Sequence, residues 1–358
     1  MFGGKMKKII DLFDVELLIK SLFLWVFLYS SFIALVEVTL CYILFSVFIY
    51  AFILYFSLTP PNEKIVKNIF GENPRIRLRD STDLSLVNNS ELNRSFSIAH
   101  NAAVLDFNEN NAEALRLCSK YGCQLIFLDV HVTKDNVLVV QRNFKFRLEN
   151  EDHNATKSIP QYNLNDFISK QKPNLCTLDE ILPTVENLDV RIIFNIIHPY
   201  YKSSNSVISA LLKIYEKNPF LYQKGVICSS NPIILYSVRK NDPSVIVALK
   251  WSEKSEQSPT SVSISWLKKL HCSNSVKHFI LEYVDSCSWW LLNHFFYRII
   301  GISAVILPKK IITPKIVEDW DRKNVRCIVG IVNLSMEKTY YANALGVPFL
   351  TDTLLNVN

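Results

Sequence analysis

The chain has 358 residues, of which 49% are hydrophobic and 20% are charged, and its formal net charge is +6. This composition excludes an intrinsically disordered chain, because such chains are poor in apolar residues and high in net charge. The 39 Lys and Arg residues are spread along the sequence, whereas nucleic-acid binders cluster them on one face, so we expect no nucleic-acid partner.

The first part of the chain is its most apolar region. From Val15 to Leu58 the only charged residues are Glu16, Lys20 and Glu37. A spanning helix needs about 20 apolar residues, whereas the apolar region of a cleaved signal peptide has only about 7–15. We therefore predict that residues 1–58 form a retained membrane anchor of one or two hydrophobic helices, which makes the chain an integral membrane protein.

The number of spans decides the topology. We favour two segments separated at Glu37, because a carboxylate is costly at the centre of a bilayer. The basic residues Lys5, Lys7 and Lys8 favour a cytosolic N-terminus. Two spans keep the rest of the chain on that side, and one span places it on the other. Pro60 ends the apolar region, and the sequence to residue 93 is polar, so we predict a linker over 59–93.

Beyond the linker, short β-branched runs alternate with helical patterns. Strands are predicted at 96–100, 124–130, 137–141 (a short extension), 189–197, 225–229, 244–249, 302–307 and 326–332, and helices at 109–121, 206–217, 233–240, 314–323 and 336–345. Apolar strands that alternate with helices indicate a parallel sheet covered by helices. Residues 94–354 match the roughly 250 residues of a TIM (β/α)8 barrel, and this α/β fold is our prediction. The alternative, a doubly wound open sheet, lacks the Gly-rich phosphate loop after its first strand.

A second apolar segment, His278–Ile300, resembles a membrane span in composition. It carries Glu282, Asp285, His294 and Arg298, which a span would bury at a cost of several kcal/mol. Predicted barrel strands also follow it. We therefore expect a helix that lies on the barrel or in the membrane interface.

Polar motifs follow the predicted strands, where a barrel carries its active site. They read Ser97-Ile98-Ala99-His100-Asn101, Asn108-Glu109-Asn110, Leu128-Asp129-Val130, Thr133-Lys134-Asp135 and Val139-Val140-Gln141-Arg142-Asn143. In order and spacing they resemble the opening of the glycerophosphodiester phosphodiesterase family, which reads Ala-His-Arg-Gly, Pro-Glu-Asn-Thr, Glu-Leu-Asp-Val, Thr-x-Asp-Gly and Val-x-x-His-Asp. The likeness continues to Asn333 and to Thr351-Asp352, which closes the barrel, and its later part is similar to the membrane-anchored animal branch.

The resemblance implies two catalytic histidines, acting as acid and base, and an arginine beside the first. His100 is retained here, whereas Asn101 stands at the arginine position and Arg142 at the second histidine position. An arginine stays protonated and cannot exchange a proton as histidine does. Glu109 and Asn333 also match family motifs, although Glu109 also suits the start of a helix.

The family's divalent cation, Mg²⁺ or Ca²⁺, is held by three acidic residues. Asp129 is retained here, but Phe127 and Asn195 stand in place of the other two. Hard cations require oxygen ligands, so we expect that the cation is not bound and the metal site is non-functional.

We therefore expect a pseudoenzyme of phospholipid or glycerophosphodiester metabolism. His100 and Arg142 are the predicted ligands of a phosphodiester or phospholipid head group, since a guanidinium binds phosphate bidentately. The alternatives are an active or residual metal-dependent phosphoric diester hydrolase acting on glycerophosphodiesters or lysophospholipids, and a purely structural membrane protein in which the matching residues are inherited scaffold.

Overall fold

The structure, a computed structural model, describes residues 2–71, 97–103, 110–142, 145–146, 157–159, 163–165, 176–198, 204–251, 283 and 286–354, and side chains are not described at 2–16, 145–146 and 157–158. The chain divides into two compact units, Met1–Ser57 and Leu58–Asn358. Each unit is described by itself.

The first unit is one helix, α1, over Phe2–Phe56. Its apolar part, Leu17–Phe56, is long and apolar enough to cross a membrane. At 1.5 Å per residue this part measures about 60 Å, about twice the hydrocarbon core of a bilayer. The predicted break at Glu37 is wrong, because α1 continues through it. No Gly or Pro lies near Glu37 to end the helix, and Thr39 donates a hydrogen bond to the carbonyl of Leu35 at 3.0 Å within it.

The second unit is the predicted barrel. Its strands are β1 Ser97–His100, β2 Leu125–Val132, β3 Arg191–Ile197, β4 Gly225–Ser229, β5 Val247–Lys250, β6 Ala304–Leu307, β7 Arg326–Ile331 and β8 Phe349–Thr351. Each strand pairs in parallel with the next. Strand β1 also pairs in parallel with β8, at Ala99 and Thr351. The eight-stranded sheet therefore closes on itself, which confirms the fold class.

Helices cover the barrel. They are α2 Glu63–Phe70, α3 Ala112–Lys120, α4 Leu178–Asn187, α5 Asn205–Lys217, α6 Leu221–Lys224, α7 Pro232–Asn241, α8 Tyr297–Ile300, α9 Pro314–Arg322 and α10 Ser335–Thr339, with π-helical turns at Leu292–Phe296 and Tyr340–Ala344. The starts of α3 and α4 follow from the sequence. Asn111 accepts a hydrogen bond from the backbone N–H of Ala114 at 2.8 Å, and Thr177 and Glu180 form a capping box.

Shorter strands complete the sheet structure. Leu138–Val140 pairs antiparallel with the end of β2, as the predicted extension, and Cys176–Thr177 pairs antiparallel with it in turn. Lys145–Phe146 and Lys157–Ser158 form a separate antiparallel pair.

The barrel interior is apolar along most of its length. We call its buried, inward-facing residues the lower layer: Ile98, Phe127, Ile193, Val226, Cys228, Ile246, Ala248, Ala304, Ile306, Ile328 and Leu350. Val66 and Ile69 of α2 belong to the same cluster. The Arg326 guanidinium, at the first residue of β7, donates to the carbonyl of Gly71 at 3.3 Å. Helix α2 therefore closes the N-terminal end of the barrel.

This helix corrects the predicted linker. Residues 59–93 were expected to be a polar linker because the sequence is rich in charged and polar residues, but α2 is amphipathic and buries Val66 and Ile69. Residues 72–93 lie outside the described residues.

Part of the segment His278–Ile300 packs on the barrel. Leu292 and Ile300 are buried in the same cluster as Trp320. Tyr297 contacts Trp320 edge to face, with ring centroids 6.0 Å apart. In the part of the chain that the structure describes, α1 alone has the length and apolarity of a membrane span. This is the first of the two predicted placements, a helix on the barrel.

Candidate functional site

Polar residues line the carboxyl end of the barrel interior. Because side chains alternate along a strand, the residue two positions after a lower-layer residue also faces inward. These positions hold what we call the upper layer: His100, Asp129, Asn195, Lys250 and Asp352. The upper layer therefore lies at the end of the barrel where active sites of this fold are found.

His100 is fixed by a carboxylate from the far end of the sequence. Its Nδ1 lies 2.7 Å from Oδ1 of Asp352, and its Nε2 lies 3.7 Å from Oδ2 of Asp129. The ring is buried. A carboxylate that bonds one ring nitrogen sets the orientation of the ring, and Nδ2 of Asn101 lies 3.4 Å from the other ring nitrogen, Nε2.

Asp352 joins His100 to two further predicted residues. Arg142 donates from Nη2 to Oδ1 of Asp352 at 3.1 Å, and Asn333 donates from Nδ2 to Oδ2 at 3.2 Å. The backbone N–H of Asp352 donates to Oδ1 of Asn333 at 2.9 Å. The hydrogen bonds from His100 and Asn333 and the positive charge of Arg142 lower the pKa of Asp352. Asp352 therefore carries its negative charge at neutral pH.

Asp129 is surrounded by amide groups. Asn195 donates to its Oδ1 at 2.6 Å, and Asn101 donates to its Oδ2 at 3.2 Å. The backbone N–H of Asp129 donates to Oδ1 of Asn101 at 3.1 Å. Asn101 adopts φ of 55°, a left-handed conformation that Asn tolerates better than most residues. Both oxygens of the retained carboxylate thus carry amide hydrogen bonds.

This donor set does not fit a divalent cation. Asn195 and Asn101 direct N–H donors at Asp129, and a cation needs oxygen acceptors instead. Phe127 is fully buried and offers only its ring. Among the described residues, no group of three His, Cys, Asp or Glu side chains is arranged to hold a metal ion.

Lys250 is a further residue of the upper layer, and no sequence motif marks it. Its Nζ lies 5.1 Å from the centroid of the Phe127 ring, as in a cation–π contact. The inward series Ile246, Ala248 and Lys250 would have identified it, but the predicted strand ended at residue 249. The role of Asp352 was also missed, because it pairs with residues more than 200 positions away.

Two further histidines lie near the site, His131 within β2 and His198 directly after β3. His131 and His198 are buried. His131 Nε2 lies 2.8 Å from the carbonyl of Gln141. Burial lowers the pKa of His131 to about 4, against the opposing effects of the Asp129 charge and of that hydrogen bond. The ring is therefore neutral at physiological pH, which suits a structural role.

The structure brings most of the predicted site residues together. They are His100, Asn101, Asp129, Arg142, Asn195 and Asn333, with Phe127 one level below. Glu109 lies outside the described residues.

Comparison with known proteins gives a consistent result. The chain matches no family model. It is 28% identical over 274 residues to glycerophosphodiester phosphodiesterase 1 of Homo sapiens, which covers 73% of this chain and 79% of that protein. The relative of the same name from Mus musculus is 27% identical over 275 residues, with the same two coverages.

Solved structures show the same fold. A putative glycerophosphodiester phosphodiesterase from Galdieria sulphuraria superposes with a TM-score of 0.53 at 13% identity, over 72% of this chain and 93% of that one. A putative glycerophosphoryl diester phosphodiesterase from Silicibacter pomeroyi gives a TM-score of 0.51 at 14% identity, over 72% of this chain and 89% of that one.

Proposed function

This chain belongs to the glycerophosphodiester phosphodiesterase family, and on that premise we propose that its barrel binds the phosphate of a glycerophosphodiester or phospholipid head group without hydrolysing it through a bound metal. The family uses a divalent cation to neutralise the phosphate. In this chain, side-chain cations and amide donors take over that task.

The observation that carries the proposal is the environment of Asp129. Its two oxygens accept hydrogen bonds from Asn195 and Asn101. A cation bound there would have to displace both amides and would find the Phe127 ring where the resemblance places an acid. General acid–base catalysis contributes about 10²–10⁴-fold in rate. Because Arg142 stands in place of the second histidine, one of the two proton transfers of that catalysis is lost.

Arg142 and His100 supply the phosphate contacts. Both side chains bond the same oxygen of Asp352, so they are held side by side. The Arg142 side chain is 39% exposed, which leaves it accessible to a ligand. A guanidinium offers five N–H donors in a rigid fork that matches the oxygens of a phosphate.

Calorimetric titration of the full chain in detergent micelles with glycerophosphocholine tests the proposal. We expect saturable binding in the presence of EDTA, and a loss of about tenfold or more in affinity for Arg142→Ala, because charge-assisted hydrogen bonds contribute about 1.5–3 kcal/mol. The matched control is Arg322→Ala, since Arg322 also donates to a carboxylate, that of Asp319, at 3.1 Å. The absence of saturable binding, or equal affinity of the Arg142 variant, contradicts the proposal.

Residual hydrolysis is the second candidate, and the pairing of His100 with Asp352 favours it. A histidine held by a carboxylate has the arrangement of a general base. The discriminating measurement is slow release of choline from glycerophosphocholine in EDTA. Release that His100→Gln abolishes would support this candidate over binding alone.

We further propose that α1 anchors the chain in a membrane as an integral protein. Its 40-residue apolar part has the length and composition for this. If the helix is a retained anchor, the expressed chain stays in the membrane fraction after extraction with alkaline carbonate. Recovery in the soluble fraction, or a product shortened by the mass of the apolar segment, contradicts it.

A further inference from the structure

Lys250 is a charged residue inside an otherwise apolar strand. Strand β5 is buried at Val247, Ala248 and Leu249, and Lys250 at its carboxyl end is half-buried. Ile246 and Ala248 face the barrel interior in the lower layer, so Lys250 faces the same way. The side chain begins on β5 and reaches the ring of Phe127 on β2, so it crosses part of the barrel interior.

The Cys228 thiol of the lower layer senses two opposite charges. Burial raises the pKa of the Cys228 thiol to about 12, while the positive charge of Lys250 lowers it and the negative charge of Asp129 raises it. Both charges therefore act within the same small region of the barrel. Within the described ranges, no carboxylate forms an ion pair with Lys250, whereas Arg142 is paired with Asp352.

Such a position is costly for an ammonium group. Partial burial removes part of its hydration, and a cation–π contact of about 0.5–2 kcal/mol returns only some of that cost. A Leu or Met at this position would extend the apolar lower layer without any charge to solvate. A ligand anion between Lys250 and the amides of the upper layer would supply the missing counter-charge.

Resting on the proposed function, we propose that Lys250 is the cation that directly receives the phosphate group, at the place where the family's divalent cation is expected. Two positions support this role. Phe127 stands where the resemblance places one metal-binding acid, and the Lys250 ammonium lies over its ring. Strand β5 faces β1 across the eight-stranded barrel, so a phosphate between them contacts Lys250 on one side and His100 on the other.

The test compares Lys250→Met with the parent chain in detergent micelles. Glycerophosphocholine is the probe for a free phosphodiester, and lysophosphatidylcholine is the probe for a lipid head group. We expect Lys250→Met to lower the affinity for the preferred probe by about 10- to 100-fold and Lys250→Arg to retain most of it. Lys240→Met is the matched control, because Lys240 is exposed in the last turn of α7.

A thermal unfolding measurement separates binding from a structural role. Without probe, Lys250→Met should unfold at the same temperature as the parent or higher, because Met packs on the Phe127 ring without a charge to solvate. With probe, the parent should gain stability and the variant should not. A variant that is less stable without probe and still gains stability with it contradicts the proposal.

The outcomes distinguish this inference from the function on which it rests. If the parent binds neither probe, the proposed function fails and the role of Lys250 fails with it. A second outcome contradicts only the role of Lys250. In that outcome the parent chain binds a probe, Arg142→Ala weakens the binding, and Lys250→Met leaves the affinity unchanged.

Discussion

The lower and upper layers of the barrel lie on the same strands, only two residues apart, and yet their side chains differ in polarity. The lower layer is apolar on all eight strands, and α2 closes it from below. The upper layer holds His100, Asp129, Asn195, Lys250 and Asp352, joined largely by hydrogen bonds between side chains. Residues at the upper layer can change without changing the closed sheet, because the lower layer and the outer helices supply the packing.

Phe127 shows how the two layers meet. It packs with the lower layer as a fully buried aromatic residue, although the resemblance places a metal-binding acid at this position. The side chain at this position therefore belongs to the apolar core. The following predictions test whether the layers are as separable as this implies.

The largest effect is expected in the lower layer. Ile328→Ala removes a fully buried side chain from β7 and should lower the free energy of unfolding by about 2–5 kcal/mol, without changing the affinity for glycerophosphocholine. Ile331→Ala is the matched control on the same strand, since Ile331 is 43% exposed and should lose about 0.5 kcal/mol or less. Urea denaturation of the full chain measures both. Equal losses would show that the barrel interior does not dominate stability.

The next effect is a pH dependence of the free energy of unfolding, which arises from His131, two residues after Asp129 on β2. Above pH 6.5 the His131 ring is neutral in both the folded and the unfolded chain. Since its pKa is lowered to about 4 in the fold, only the unfolded chain takes up a proton between those values. The free energy of unfolding should therefore decrease as pH falls from 6.5 to 4, with a contribution of up to about 3 kcal/mol.

His131→Gln should flatten this part of the pH profile, measured by denaturation at several pH values. The control is His294→Gln, because His294 is exposed, and it should leave the slope unchanged. An unchanged slope for His131→Gln would place the pH dependence elsewhere.

The smallest effect is expected at the carboxylate that joins the upper layer. Asp352→Asn removes the charge that holds His100 and Arg142, so stability at pH 7 should fall by about 1.5–3 kcal/mol. The folded-state pKa of Asp352 is lowered, so its contribution is complete above the pKa of the unfolded chain and is lost as pH falls below it. Asp319→Asn, in a surface pair with Arg322, should cost about 0–1 kcal/mol. If both variants lose the same amount, Asp352 does not organise the site.

The barrel was predictable because its signal is repeated. Apolar runs of strand length recur between helical patterns, and the observed β3 and β7 agree with the predicted strands within two residues at each end. The last strand, Phe349–Thr351, is too short for such a pattern and was identified only by the family motif. Helix α2 was missed because its eight residues show a low average hydropathy, although they bury one apolar face.

The site was predictable residue by residue but not as a network. The motif positions of His100, Asp129 and Arg142 follow from the resemblance, because each lies beside a recognisable strand. The bonds that join them depend on Asp352, which the barrel brings back from the end of the chain. Those contacts form only because the sheet closes, so no local sequence pattern predicts them. Lys250 depends likewise on which face of β5 turns inward.

The most direct test of the account is release of choline from glycerophosphocholine by the purified full chain, with Mg²⁺, Ca²⁺ or Mn²⁺ compared with EDTA. Because the amides of Asn195 and Asn101 take both oxygens of Asp129, the account predicts that no metal raises the rate above the EDTA level. A clear metal-dependent release of choline that Asp129→Asn abolishes would contradict the account. It would show that this chain is a metal-dependent hydrolase.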